Sequence, residues 1–158
     1  MTEAEGLDKI LRAHPFFHDL DEDDIRFLAG CGRNERYEAG EFIFREGAPA
    51  DRLYLVRHGS VAVEINAPGR EPTIIKTLGE GELLGWSWIV EPYTWTYDAR
   101  ALNMTRVLSL NAVCLRNKFD INHELAYRFM RKFTAVMADR LHAAHMQIMD
   151  LYGPSKGG

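Results

Sequence analysis

The chain has 158 residues, 46% of them hydrophobic and 27% charged, which suits one globular domain with a well-buried core. Its formal net charge of −4 excludes a protein whose main business is coating nucleic acid, and the basic cluster Arg128, Arg131, Lys132 and Arg140 reads as a solvated helix face. No apolar run approaches the ~18–20 residues that span a bilayer, and the acidic, amphipathic N-terminus is not a secretory signal.

Residues 3–13 carry Leu7, Ile10 and Leu11 at helical spacing and stop before Pro15. Asp21 is placed to cap a second short helix. Glu22, Asp23 and Asp24 fill its first turn, Ile25, Leu28 and Ala29 form its buried face, and Gly30 and Gly32 close it. From about Glu35 to Leu110 the period shortens toward two. Phe42/Phe44, Leu53/Leu55, Val61/Val63/Ile65, Ile74/Ile75 and Val107/Leu108/Leu110 are strand signals. Turn chemistry at Gly40, Gly47-Ala48-Pro49, His58-Gly59 and Asn66-Ala67-Pro68-Gly69 separates them. Short strands at intervals of ~8–12 residues predict a sandwich or barrel. The expected fold class is α+β, mainly β: an antiparallel β-roll of the jelly-roll or double-stranded β-helix kind over 35–115, behind short N-terminal helices over 1–32.

Within the roll, Leu78–Ala101 reads as an insert made of a loop, a short helix and a returning strand. A helix N-terminus there would offer free N–H groups to an anion. The insert nevertheless carries Trp86, Trp88, Tyr93, Trp95 and Tyr97 where charged ligand contacts would be expected.

From about Asn122 to Tyr152 the chain reads as one long helix without Pro or Gly. Thr134, Leu141 and Ile148 recur every seven residues, and so do Met137, Ala144 and Leu151. Interleaved, the two sets form an a/d seam. Gly153-Pro154 stops the helix before a flexible end. His142 and His145 lack the further ligands that a metal site needs. Cys31 and Cys114 lie far apart without a CxxC partner, so a disulfide framework, a zinc knuckle and an iron–sulfur cluster are not expected. A reducing cytoplasm is the simplest home. No linker composition divides the chain, and residues 1–158 read as a single domain.

This order of elements, with Ile43-Phe44-x-x-Gly47-Ala48-x-Ala50-x-x-Leu53-Tyr54-Leu55-Val56-x-x-Gly59, resembles the cyclic nucleotide-binding domain, in particular the bacterial cyclic-AMP receptor proteins. The resemblance implies a phosphate-binding cassette of the form Gly-Glu-x-(small)-Leu followed by Arg-(Ser/Thr)-Ala. In it the glycine and nearby N–H groups approach the cyclic phosphate, the glutamate takes the ribose hydroxyl, and the arginine pairs with the phosphate. Here Gly85 keeps the glycine, Trp86 replaces the glutamate, and Trp88 stands at the small position. Trp95 replaces the arginine, Thr96 keeps the hydroxyl, and Tyr97 replaces the alanine. An indole donates one hydrogen bond and accepts none. Losing both ionic anchors is expected to weaken cyclic-nucleotide affinity by roughly two to four decades.

The expected ligand-binding set is Leu84, Gly85, Trp86, Ser87, Trp88, Trp95, Thr96, Arg100 and His145. Arg100 is placed either to take over the phosphate or to pair with Asp98, two residues away on the same strand face. His145 occupies the region from which the family's long helix reaches the base. The seam implies a homodimer through the C-terminal helix, and the resemblance stops short of the family's helix-turn-helix. Direct DNA reading is therefore not expected, nor is membrane insertion, and a protein partner is a further possibility. The motifs of common catalytic sites are missing, and no catalytic cofactor is expected. The functional expectation is a regulatory, ligand-sensing module with an altered pocket. The alternative is a dimerisation or interaction domain whose pocket is filled by aromatic side chains.

Overall fold

The computed structural model describes residues 3–152. Helices α1 (Glu3–Ala13) and α2 (Glu22–Ala29) precede eight strands: β1 (Gly32–Tyr37), β2 (Phe42–Phe44), β3 (Arg52–His58), β4 (Val61–Ile65), β5 (Thr73–Leu78), β6 (Leu83–Leu84), β7 (Asp98–Ala101) and β8 (Thr105–Asn111). Helices α3 (Ala112–Ile121) and α4 (His123–Tyr152) follow. The strands form two four-stranded antiparallel sheets, ordered β1-β8-β3-β6 and β2-β7-β4-β5. This is the expected antiparallel roll.

Local chemistry explains the element boundaries. Asp21 caps α2 by accepting from the Asp24 N–H at 2.8 Å, and Ile25, Leu28 and Ala29 form its buried face. The first sheet carries side chains on both faces. On one, α1 and α2 pack on each other and on β1; Leu7 and Leu110 close on Gly32 so tightly that a Cβ there would sit 3.3 and 3.0 Å from their methyls. Leu53, Leu55 and Leu108 are buried on this same face by strand alternation. The other face, with Tyr54, Val56, Leu84 and Val107, turns toward the interior of the roll, where Val61, Ala99 and Ala101 of the second sheet are also buried.

Three sequence expectations are corrected. First, a helix that the sequence reading did not separate, α3, begins directly after β8. Asn111 caps it by accepting from the Cys114 N–H at 2.8 Å, and Asn122 restarts the chain as α4 by accepting from Leu125 N–H at 3.0 Å. Second, Cys31 and Cys114 are not isolated: they form a disulfide with Cα atoms 5.6 Å apart across 83 residues of sequence. Third, the insert contains turns and no α-helix, Ile89 N–H reaching the Trp86 carbonyl at 3.2 Å and Val90 N–H the Ser87 carbonyl at 3.4 Å. The bulky and β-branched run from Trp86 to Val90, followed by Pro92, provides only this single loose turn.

The chain divides into two compact units between Lys118 and Phe119. In the second unit Phe119, Phe129 and Phe133 form a ring cluster, with centroids 5.1 and 6.4 Å apart along the series. No helix among the described residues is long and apolar enough to cross a membrane. The expected stop at Gly153-Pro154 and the tail beyond it lie outside the described residues.

Candidate functional site

The site is built where the insert returns to the roll. Its returning arm is tied to the turn before β3 by three backbone bonds: Gly47 N–H to the Trp95 carbonyl at 2.8 Å, Trp95 N–H to the Ala48 carbonyl at 2.9 Å, and Ala50 N–H to the Tyr93 carbonyl at 2.7 Å. This short ladder aims the Trp95 indole inward, where it is only 4% exposed. The indole stacks on Phe44 with ring centroids 3.7 Å apart and planes 7° from parallel, and Tyr54 stands 6.3 Å away. Burial, and then the Glu35 charge, push the Tyr54 hydroxyl up to about 12, so this phenol stays neutral.

Gly85 completes the arrangement. Its φ of +80° is the left-handed region that glycine tolerates, and a Cβ built on it would fall 2.4 Å from Trp95 Cζ3. The glycine therefore admits the indole into the space beside it. Leu84, directly across from Tyr54 in the β3–β6 pairing, and Ser87 are buried nearby in the chain. Trp88 is fully buried, Trp86 is half-buried, and Thr96 is exposed.

Arg100 is not part of this group. Its neighbour Ala99 is fully buried and pairs with Phe44, so strand alternation turns Arg100 to the other face of the sheet. Nor does Arg100 pair with Asp98, as the sequence had allowed. Its guanidinium grips Glu64 through Nε (3.1 Å) and Nη2 (2.9 Å). Asp98 accepts instead from Glu46 N–H at 2.7 Å and Asn66 Nδ2 at 2.5 Å, with Arg45 at 3.5 Å. Burial raises the Asp98 pKa, but these donors outweigh it and hold the carboxyl below the ordinary carboxylate range. Both pairs line an outward-facing cleft of about 350 Å³ with Phe42 and Ile74. His145 is exposed on α4, in the second unit.

Sequence reasoning missed one anchor of the insert. Arg116 of α3 donates from Nη1 to the Trp88 carbonyl at 2.6 Å, and its guanidinium lies 4.0 Å from the centroid of Tyr93. Tyr93 has φ of +58°, a costly backbone for a bulky residue. It persists because the Ala50 bond, its own N–H bond to Val90 at 2.9 Å and the guanidinium all hold it. No spacing in the chain connects residue 116 to residue 93.

A family model matches the stretch of chain that forms the roll and its insert. The model, described as cyclic nucleotide-binding domain, covers residues 34–122, more than half of the chain. The chain belongs to the cyclic nucleotide-binding domain family. A CRP-like cAMP-activated global transcriptional regulator of Mycobacterium tuberculosis is 26% identical over 145 residues, which cover 92% of this chain and 63% of the regulator. The chain thus spans less than two thirds of that relative. Among solved structures, a Geobacter metallireducens protein named for cyclic nucleotide binding aligns with a TM-score of 0.75 at 27% identity, over 90% of this chain and all of that one (100%). A cyclic nucleotide-binding domain from Methylobacillus flagellatus has a TM-score of 0.78 over 97% of this chain and 86% of its own. At 18% identity it speaks for the fold alone. The cyclic nucleotide-binding domain is a ligand-binding, regulatory module.

Proposed function

We propose that this cyclic nucleotide-binding domain is a regulatory module whose phosphate end is closed by Trp95, so that ordinary cyclic AMP binding is weak or replaced by another ligand. One observation carries the reading: the Trp95 indole, at the position to which the resemblance assigns the arginine, lies against Gly85, the glycine that the same resemblance assigns to the phosphate. An anion at Gly85 would have to displace a ring stacked on Phe44, and it would meet no guanidinium from position 95. Arg100 offers no substitute, since both its donor edges used here serve Glu64 on the opposite sheet face.

Isothermal titration with cyclic AMP, cyclic GMP and cyclic di-GMP tests this, on the unmodified chain and on Trp95→Arg. Cyclic AMP is expected to bind the unmodified chain no better than micromolar, and Trp95→Arg to gain at least about tenfold by restoring one charge-assisted contact. Submicromolar binding of cyclic AMP by the unmodified chain would overturn the closed-pocket reading.

A second reading, a dimerisation or interaction domain with an aromatic-filled pocket, is favoured by the depth of burial of Trp88 and Trp95, at 0% and 4% exposure. Silence from all three ligands with both proteins would exclude a sensor of these nucleotides and leave a filled pocket or a ligand of another class.

A further inference from the structure

We propose that Cys31 and Cys114 are a reversible thiol–disulfide switch that sets the mobility of the aromatic insert through Arg116. These are the two cysteines of the chain, and the fold brings them together from 83 residues apart. Cys31 follows α2 and leads into β1, its N–H bonded to the Leu28 carbonyl at 2.9 Å. Cys114 sits in the first turn of α3. Asn111 holds both: its N–H donates to the Cys31 carbonyl at 2.8 Å, and its side chain accepts from the Cys114 N–H at 2.8 Å. Neither hydrogen bond involves a sulfur, so neither is made by the S–S bond itself.

The consequence lies two residues further along α3, at Arg116. The disulfide fixes the start of α3 to the end of α2, and Lys118, 3.6 Å from the Phe27 ring centroid, adds a weaker tie to α2 itself. Arg116 between them reaches the Trp88 carbonyl and the Tyr93 ring, two points within the insert that carries Trp95. With the bond formed, the guanidinium is presented from a covalently fixed turn. With the bond broken, that turn is held by hydrogen bonds alone, and the insert loses part of its clamp.

The exchange is balanced. Cys31 is only 5% exposed and Cys114 is partly accessible, so an external thiolate attacks Cys114 Sγ and Cys31 leaves as a thiolate. A second external thiol then resolves the mixed disulfide, giving two protein thiols and one small-molecule disulfide. The reverse reaction uses a low-molecular-weight disulfide such as oxidised glutathione as the electron acceptor. This inference rests on the cysteine pair and the Arg116 contacts, and it stands whichever ligand the domain takes.

The test is hydrogen–deuterium exchange over residues 86–95, with thiol titration, on the intact chain equilibrated in dithiothreitol or in oxidised glutathione. Two titratable thiols and none, respectively, are expected. Amide exchange in the insert should be faster by about tenfold in the reduced state, while β3 and β8 are unchanged. The double variant Cys31→Ser, Cys114→Ser should exchange like the reduced chain and ignore oxidant. Arg116→Gln should loosen the insert in the oxidised chain with no thiol released. If the thiols do not convert, or if they convert and the insert exchanges alike in both states, the switch is wrong. The two states of the unmodified chain decide this even if a variant fails to fold.

Discussion

At the scale of single residues, the contact between Gly85 and Trp95 decides what the site can hold. Substituting Gly85 by alanine imposes two costs at once: a left-handed backbone on a residue with a Cβ, and a contact of 2.4 Å against a ring that is itself stacked on Phe44. We expect Gly85→Ala to destabilise the fold by about 2–3 kcal/mol, measured by denaturant unfolding. Combining it with Trp95→Ala should recover much of the loss, because the clash is gone and only the backbone cost remains. Equal destabilisation in both backgrounds would mean that the close approach is not what requires glycine.

The sequence made Gly85 and Trp95 legible as neighbours in a motif, since both fall on cassette positions. It could not supply the direction of the indole, which the Ala48–Trp95 backbone ladder determines. Arg100 shows the same limit. Arg100 and Asp98 line the same cleft, whereas Thr96 lies before β7 begins, and the partner of Arg100 depends on cross-strand register. Glu64 lies opposite Asp98 in the β4–β7 pairing, and Arg100 reaches it diagonally.

At the scale of elements, a polar network inside the roll joins β1, β3 and β8. Glu35 accepts from Tyr37 Oη at 2.6 Å, from Ser109 Oγ, and from Arg33 Nε at 3.1 Å, while Arg52 Nε stands 3.4 Å away. Burial of this carboxyl raises its pKa. The hydrogen bonds from Ser109, Tyr37 and Arg33, with the Arg33 charge, outweigh burial and leave it below the ordinary value of 4.5. The sign of the linkage follows. The folded state holds the ionised form, so the unfolded chain binds the proton first on acidification. Stability from this group is fully present above pH 4.5 and is lost as the pH falls from there toward the folded value.

Glu35→Gln should cost about 1–3 kcal/mol near pH 7, because Arg33 and Arg52 lose a charged acceptor. The difference from the unmodified chain should shrink as unfolding is repeated below pH 4.5. A gap that stays constant with pH would remove Glu35 from the acid response.

The same scale shows which elements the sequence conceals. Strands β2, β3, β4, β5 and β8 and helix α2 are readable because period and turn residues agree locally, as with Asp21 and its three acidic followers. In contrast, β1, polar along most of its length, and the two-residue β6 carry no such signal. Helix α3 is concealed too, because Val107 to Leu115 is almost one apolar run across the strand–helix junction, and a short apolar run does not separate a strand from a buried helix. Only Asn111, a polar cap in the middle of that run, marks the change. The Cys31–Cys114 pairing was equally hidden, since it depends on α3 starting where it does.

At the scale of the whole molecule, α4 poses a question that its own chain leaves open. In its first half Leu125, Phe129 and Phe133 are buried at four-residue spacing. Beyond Phe133 the seam faces water: Thr134 and Ala144 are exposed and Met137 half-buried. Leu141, Ile148 and Leu151 are exposed at 59%, 52% and 79%, and Met149 and Tyr152 add to the apolar surface. This much uncovered hydrocarbon at heptad spacing leads us to expect a second copy of the same helix as its partner. Sedimentation equilibrium at tens of micromolar should give a dimer mass. The double variant Leu141→Glu, Ile148→Glu places like charges at the seam and removes two of its exposed aliphatic side chains per copy. It should raise the dimer Kd at least roughly a hundredfold, leaving ligand titrations and the Glu35 acid response of the β-roll unchanged. A monomer mass for the unmodified chain would refute the dimer, and the apolar seam would then call for a different protein on the same helix face.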